Sequence, residues 1–319
     1  MATVFTIGEA LIDFIPNETG IELKDVSGFQ KAAGGAPANV ACTVAKLGGK
    51  SAFIGKLGQD AFGDFLIETM TSVGVETGYV CRTDKANTAL AFVSLKADGN
   101  RDFSFYRKPS ADMLLAQEDI EEQWFQAGDI LHLCSVDLIE APVKYAHMKA
   151  IQAVQENGGI VSFDPNVRLP LWNSEVECRR TIQQFIPFSH ILKISEEELL
   201  FITGIEDVEE AVTSLFTGHV EHILFTKGAE GAVWYTKTDR VSVAGYRVQA
   251  VDTTGAGDSF IGAVLFQLSK ENSKIDEITH EQIKKFLSFA NSAAAITTTR
   301  YGAIPSLPSI EEVSQFLSD

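Results

Sequence analysis

Short apolar runs of strand length alternate with stretches of helical period along most of the chain. Residues 3–7 form the first apolar run. Gly8-Glu9-Ala10 interrupts it and residues 11–15 resume it. Pro37 opens a helix of small residues that continues to Ala45, because proline's missing N–H costs nothing in a first turn. Residues 51–58 read as a strand. Residues 60–73 read as an amphipathic helix with Phe62, Phe65, Leu66, Thr69 and Met70 on one face, closed by Gly74. Residues 88–95 and 101–107 are extended and joined by Ala97-Asp98-Gly99-Asn100, a hairpin signal. From Gly128 the alternation is regular. Strands at 130–134, 160–163, 191–194 and 222–226 are separated by helices near 142–157, 175–186, 195–203 and 208–216. A strand at 232–235 follows, then a strand-like run at 246–251, a helix from Phe260 through Leu268, and an Ala-rich helix at 280–297. The polar residues 269–277 read as an exposed loop.

Alternating strands and helices with short links predict an α/β protein whose mostly parallel sheet is covered on both faces. Ligands of such sheets bind beyond the carboxyl ends of the strands. Many polar residues fall at or just after those ends: Asp13, Gly34, Gly35, Asn39, Arg107, Asp164, Asn166, Arg168, Lys193, Glu198, Thr226, Gly228, Gly231 and Asp258. Each has a bland alternative. Asp13 fits a solvent-facing position as well as a ligand-facing one. Arg107 fits a wet hairpin face, Asp164-Pro165 a simple turn, and Lys193 with Glu198 a solvated charge cluster. Their coincidence on one rim favours a site.

The stretch Asp252-Thr253-Thr254-Gly255-Ala256-Gly257-Asp258-Ser259-Phe260 carries the clearest chemistry. Its glycines let backbone amides turn inward, and the helix that follows offers unpaired N–H donors and a partial positive charge. Together they suit a phosphate or a developing negative charge. Asp258, in the first helical turn, sits where a general base meets a hydroxyl held by those amides, although a capping role alone would also place an Asp there. The spacing is neither the P-loop nor G-x-G-x-x-G, so a Rossmann-type oxidoreductase is disfavoured.

Composition narrows the choice. The 319 residues carry a formal charge of −17, which disfavours a nucleic-acid partner. The 4 cysteines form no C-x-x-C pair, arguing against a zinc site or disulfide framework. Cys42 and Cys134 lie in apolar runs and read as packing residues. Without a recognisable signal peptide or a bilayer-length apolar run, the expectation is a cytoplasmic protein without a membrane partner.

On these residues the chain resembles the ribokinase (PfkB) family of carbohydrate kinases from end to end. Gly34-Gly35-Ala36-Pro37-Ala38-Asn39-Val40-Ala41 and Asp252 to Phe260 match its two signatures. The runs Phe105-Tyr106-Arg107-Lys108-Pro109 and Asp164-Pro165-Asn166-Val167-Arg168 resemble those of its fructokinases.

The resemblance implies a ribokinase-like three-layer α/β/α fold. Residues 1–13, 34–86 and 109–319 form the core, and residues 14–33 with 87–108 form a β-sheet lid. It implies ATP-dependent phosphorylation of D-fructose, expected to yield fructose 6-phosphate. Asp258 is the base, and Gly255, Ala256 and Gly257 form the anion hole. Asp13, Gly34, Gly35, Asn39, Arg107 and Arg168 meet the sugar, while Lys193, Thr226, Gly228, Gly231 and Asn291 lie on the nucleotide side. Glu198 matches the family's magnesium-linked glutamate, acting through water. Ser195 stands where the family has Asn, so its own role is open. A K+ site is implied at Asp252, Thr254, Thr297, Arg300, Gly302 and Ser306, and a homodimer through the lid. Within the family the alternatives are a 2-keto-3-deoxygluconate kinase or a ribokinase; outside it, a non-catalytic sugar or nucleotide sensor.

Overall fold

The computed structural model describes residues 1–18, 20–95, 101–271 and 275–318. In chain order its strands and helices are β1 (Thr3–Ile7), β2 (Leu11–Pro16), β3 (Phe29–Gly34), α1 (Ala36–Lys46), β4 (Lys50–Gly58), α2 (Ala61–Ser72), β5 (Val80–Thr83), β6 (Ala89–Leu95), β7 (Arg101–Tyr106) and β8 (Ile130–Cys134). They continue with α3 (Pro142–Glu156), β9 (Ile160–Asp164), α4 (Glu175–Phe185), β10 (Ile191–Ser195), α5 (Glu196–Thr203), α6 (Val208–Ser214), β11 (His222–Thr226), β12 (Gly231–Thr236), β13 (Arg240–Ala244), α7 (Ala256–Lys270), α8 (His280–Thr298) and α9 (Ile310–Ser318).

The main sheet has the order β13-β12-β11-β10-β9-β8-β1-β4-β5. It is parallel from β5 to β11, and β12 and β13 add an antiparallel edge. Side chains of a strand alternate between faces, and the burial follows suit. Phe5, Ile7, Leu131, Leu133, Leu192, Ile194, Ile223 and Phe225 pack under α3 to α6. Val4, Ile130, Ile191 and Leu224 pack on the opposite side against α1, α7 and α8. This is the expected sheet covered on both faces.

Parallel pairing also sets the rim. Cys134 pairs with Asp164 and Ser195 with Thr226, and Leu192 pairs with Phe163, so the carboxyl ends of β8 and β9 are level, those of β10 and β11 are level, and the second pair extends two residues further along the same rim. A second sheet, β3-β2-β6-β7, stands apart; β2 is antiparallel to β3 and parallel to β6, and β6 is antiparallel to β7. It takes in β2 from Leu11 onward. Aromatic rings from three of its strands, Phe14, Phe29 and Phe92, meet one another on it.

Two sequence expectations are corrected. Residues 246–251 form no strand. They run from the edge strand β13 along the second cavity to α7, and the backbone partner met at their end is a helix terminus rather than a strand: the Val251 amide donates to the Thr298 carbonyl at the end of α8 at 2.7 Å. Residues 269–277 are not one exposed loop. Ser269 and Lys270 close α7, and residues 275–277 form a 3-10 turn whose Ile275 is buried. The hairpin link at residues 97–100 lies outside the described residues.

Candidate active site

Gly255 is the pivot of the site. Its φ of 79° lies in the left-handed region that glycine enters freely, and it forms the N-cap of α7. The chain arrives over the strand ends, turns there, and starts a 15-residue helix directly beneath the rim. The N–H groups of Gly257 and Asp258 stand in its first turn, where a helix supplies no partner. Asp252 fixes the approach. One carboxylate oxygen accepts from the Thr254 amide at 2.8 Å and the other from the Gly302 amide at 3.0 Å, tying the turn to the loop after α8.

Two cavities meet at this turn. The first, of about 610 Å³, is bounded by Glu9, Asp13, Gly35, Asn39, Phe105, Asn166, Arg168, Glu198 and Asp258. The second, of about 790 Å³, is bounded by Thr226, Gly228, Gly231, Tyr246, Arg247, Val248 and Asn291. Lys193, Ser195, Glu197, Thr253 and Gly257 line both. The glycine turn is therefore the partition between two ligand-sized spaces.

Asp258 is 8% exposed. Burial raises its carboxyl above the usual range, while Asn39, Lys193 and Arg168 pull in the other direction. Asn39 Nδ2 donates to Asp258 Oδ2 at 2.8 Å, and Asn166 Nδ2 donates to Oδ1 at 3.4 Å. Asn39 Oδ1 is buried without a protein partner on the wall of the first cavity, an acceptor left for a bound hydroxyl.

Lys193 projects from β10 to the partition. Its Nζ lies 2.9 and 3.1 Å from the two carboxylate oxygens of Asp164, and a Cβ on Gly257 would come within 3.3 Å of it. Burial alone would lower this ammonium's pKa, but Asp164 and Glu198 outweigh that and raise it. A charged amine thus faces the helix amides across the partition, and an anion held there meets positive potential from two sides.

Ser195 is the N-cap of α5 and forms a reciprocal pair with Glu198. Its hydroxyl accepts from the Glu198 amide at 3.3 Å, and Glu198 Oε2 accepts from the Ser195 amide at 2.9 Å. Glu198 Oε1 accepts from the Val167 amide at 3.0 Å. Burial would raise the Glu198 carboxyl; Lys193 and these amides hold it below the usual range instead.

Residues 1–310 match the pfkB family carbohydrate kinase pattern. The chain is 44% identical over 315 residues to probable fructokinase-5 of Arabidopsis thaliana, covering 98% of this chain and 97% of that one. It is 43% identical to fructokinase-2 of Solanum lycopersicum, over 98% and 95% of the two chains. The chain belongs to the pfkB family of carbohydrate kinases. Its fold is similar to solved structures of fructokinases. One from Xylella fastidiosa, with bound ATP, has a TM-score of 0.91 and 36% identity over 99% of this chain and 98% of that one. One from Vibrio cholerae, with fructose, ADP and calcium, has a TM-score of 0.89 and 36% identity over 99% of each.

In this kinase most of the residues expected at the site line one cavity or the other. Asp13, Gly35, Asn39, Arg168, Glu198, Gly255 and Asp258 border the first; Thr226, Gly228, Gly231, Ala256 and Asn291 border the second. Gly34 closes β3 one residue behind the first wall. Gly231 is required by packing, since a Cβ there would sit 2.2 Å from the Val243 carbonyl oxygen. The Asn291 amide donates to the carbonyls of Val243 and Ala244, joining α8 to β13 at the cavity wall.

Arg107 stands apart from the cavity wall. Its guanidinium is buried and pairs with Asp112 and Asp137. Glu9, read from the sequence only as part of an interruption, is buried on the first cavity, where its Oε1 accepts from the Ala36 amide at the start of α1. An acidic residue two positions after the first strand was the available signal. Of the expected cation ligands, Asp252, Thr254 and Gly302 meet through hydrogen bonds. Thr297 Oγ1 reaches Ser259 Oγ at 3.0 Å, while the Arg300 side chain pairs with Glu312 on α9. The Ser306 hydroxyl donates to the Ala303 carbonyl.

Proposed function

We propose that this kinase transfers the γ-phosphoryl group of ATP to the primary hydroxyl of D-fructose that gives fructose 6-phosphate. The observation that carries the reading is the buried carboxylate of Asp258 on one cavity, next to the helix amides that separate it from the other. Fructose occupies the first cavity, met by Asp13, Gly35, Asn39 and Arg168. ATP occupies the second, with its terminal phosphate against the partition. The hydroxyl oxygen attacks the γ-phosphorus, the bond to the β-phosphate oxygen breaks, and ADP leaves. Asp258 takes the hydroxyl proton. Phosphoryl transfer asks a protein mainly for positioning and charge stabilisation. The amides after Gly255 and the Lys193 ammonium supply the latter.

Magnesium, when bound with the nucleotide, neutralises phosphate charge. Among the described residues no cluster of three or more His, Cys, Asp or Glu side chains is placed to hold a metal ion directly. Glu198, held by three backbone or side-chain contacts, would hold such an ion through water, since magnesium keeps part of its hydration shell. The loops joined by Asp252, with Thr254, Thr297, Arg300, Gly302 and Ser306, are where a potassium ion would sit beneath the anion hole. The small sheet, drawn mainly from residues 14–33 and 87–108 of the expected lid, acts as a lid, because Phe105 of β7 reaches the first cavity from it, as does Asp13 of β2 at the lid's boundary. It is also the face through which we place a homodimer. Among the described residues no helix is long and apolar enough to cross a membrane; with the free cysteines this supports a cytoplasmic enzyme.

The test is Asp258→Asn, followed by coupled ADP release and by sugar titration calorimetry. Turnover is expected to fall by roughly a thousandfold or more, as for loss of a general base, with sugar binding retained. Turnover within tenfold of the parent would remove Asp258 from the base role.

A further inference from the structure

Asp258 is gripped from both sides, by Asn39 on α1 and by Asn166 in the turn that follows β9. Asn166 is 7% exposed and its φ is +42°, a left-handed backbone that Asn tolerates better than most side chains. Three contacts hold that turn in place. The Asn166 amide donates to Asp164 Oδ1 at 3.1 Å, Asp164 is paired with Lys193, and the next amide, of Val167, donates to Glu198. The turn is thus tied through Asp164 to Lys193, which lines both cavities, and the Asn166 Nδ2 ends at the second oxygen of Asp258.

We infer that Asn166 is a positioning residue for Asp258, fixing the plane of the carboxylate so that it meets the attacking hydroxyl. The inference rests on the base reading given above. A carboxylate held through one oxygen alone can rotate about its Cβ–Cγ bond; a second donor at the other oxygen restrains that rotation. A neutral amide is a suitable second holder, since it fixes the group while lowering its basicity less than a cation would. The charged or titratable groups facing Asp258 are Lys193 from β10, Arg168 from the same turn, Glu198 from α5, Asp164 from β9 and the Cys134 thiol of β8.

Asn166→Gly removes the amide and keeps the left-handed backbone available. Asn166→Asp keeps the shape and places a second carboxylate beside the base. With folding checked by thermal melts, Asn166→Gly is expected to lower kcat roughly ten- to a hundredfold, the range for a hydrogen bond to a charged group. Sugar affinity measured by calorimetry should change less than about threefold, well under that factor. Asn166→Asp should move the acidic limb of kcat/KM to higher pH, through like-charge repulsion. A glycine variant with parental kcat overturns the inference, as does one that loses sugar affinity while kcat stays intact. An aspartate variant with an unmoved acidic limb overturns it too. Asp258→Asn, run alongside, separates the two readings: if that variant is active the base assignment fails, and if it is inactive while Asn166→Gly is unimpaired, only the positioning role fails.

Discussion

Replacing Arg107 with Met keeps most of the side chain's length and removes its charge. In the folded protein Arg107 is 5% exposed, Asp112 2% and Asp137 1%. The guanidinium pairs with both carboxylates, and its Nε donates to Asp112 at 3.0 Å. Asp112 keeps the Ser110 hydroxyl at 2.5 Å after the change. Asp137 is less well provided, because its Oδ2 has no hydrogen-bond partner even in the parent. Breaking a buried pair by removing one member costs about 3–5 kcal/mol. Two carboxylates are stranded here, so the upper part of that range applies wherever both stay ionised.

Protonation modulates this cost. Burial pushes the Asp137 carboxyl up to about 7 even with Arg107 beside it, and without the arginine it rises further. In mildly acidic buffer Asp137 is then neutral and the loss is smaller; in mildly alkaline buffer the loss is larger. Urea unfolding followed by tryptophan fluorescence, at both pH values, measures it. Arg107 directly follows β7, which carries Phe105 to the first cavity, so a raised KM for sugar should accompany the lost stability. A loss below about 1 kcal/mol, in the range of an exposed pair, with only KM affected, would refute the buried-clamp reasoning. Arg107 would then be a direct ligand.

Two further predictions concern the partition. Burial raises the Asp258 carboxyl, and the base must be ionised, so kcat/KM should fall on acidification at a pH above the usual carboxylate range. Arg168→Gln, which removes a charge that lowers this carboxyl, should move the limb upward; a pH–rate profile with no limb there contradicts the assignment. Gly255→Ala forces an L side chain into φ 79° and puts its Cβ 3.3 Å from Ala303. It should cut kcat roughly a hundredfold, the scale of losing one oxyanion donor, with near-parental nucleotide binding by calorimetry; unchanged kcat would show that the turn does not hold the transferred group.

Much of this was legible because strand and helix periods are local. The apolar runs at 130–134, 160–163, 191–194 and 222–226 match β8 to β11 within a residue, and parallel pairing then brings their polar ends to one rim. Gly255 and Gly257, one residue apart before Asp258, needed only the turn into the helix to be recognised. What stayed hidden depended on distant partners. Arg107 looked equally suited to a wet hairpin, because nothing local reveals that Asp112 and Asp137 enclose it. Glu9 was unremarkable until α1 was placed with its first amide against it. Residues 246–251 have strand composition, and only the path from β13 to α7 shows that the Val251 amide ends on the Thr298 carbonyl of α8 and not on a strand. Ser195 lacked an assigned role until its hydroxyl was seen to cap α5.

Whether the first cavity accepts fructose is read out by ADP release over a sugar panel under one set of conditions. The kcat/KM for D-fructose is expected to exceed that for ribose and for 2-keto-3-deoxygluconate by at least about tenfold, equivalent to ~1.4 kcal/mol of preferential transition-state binding. A higher value for either of the other two would contradict it.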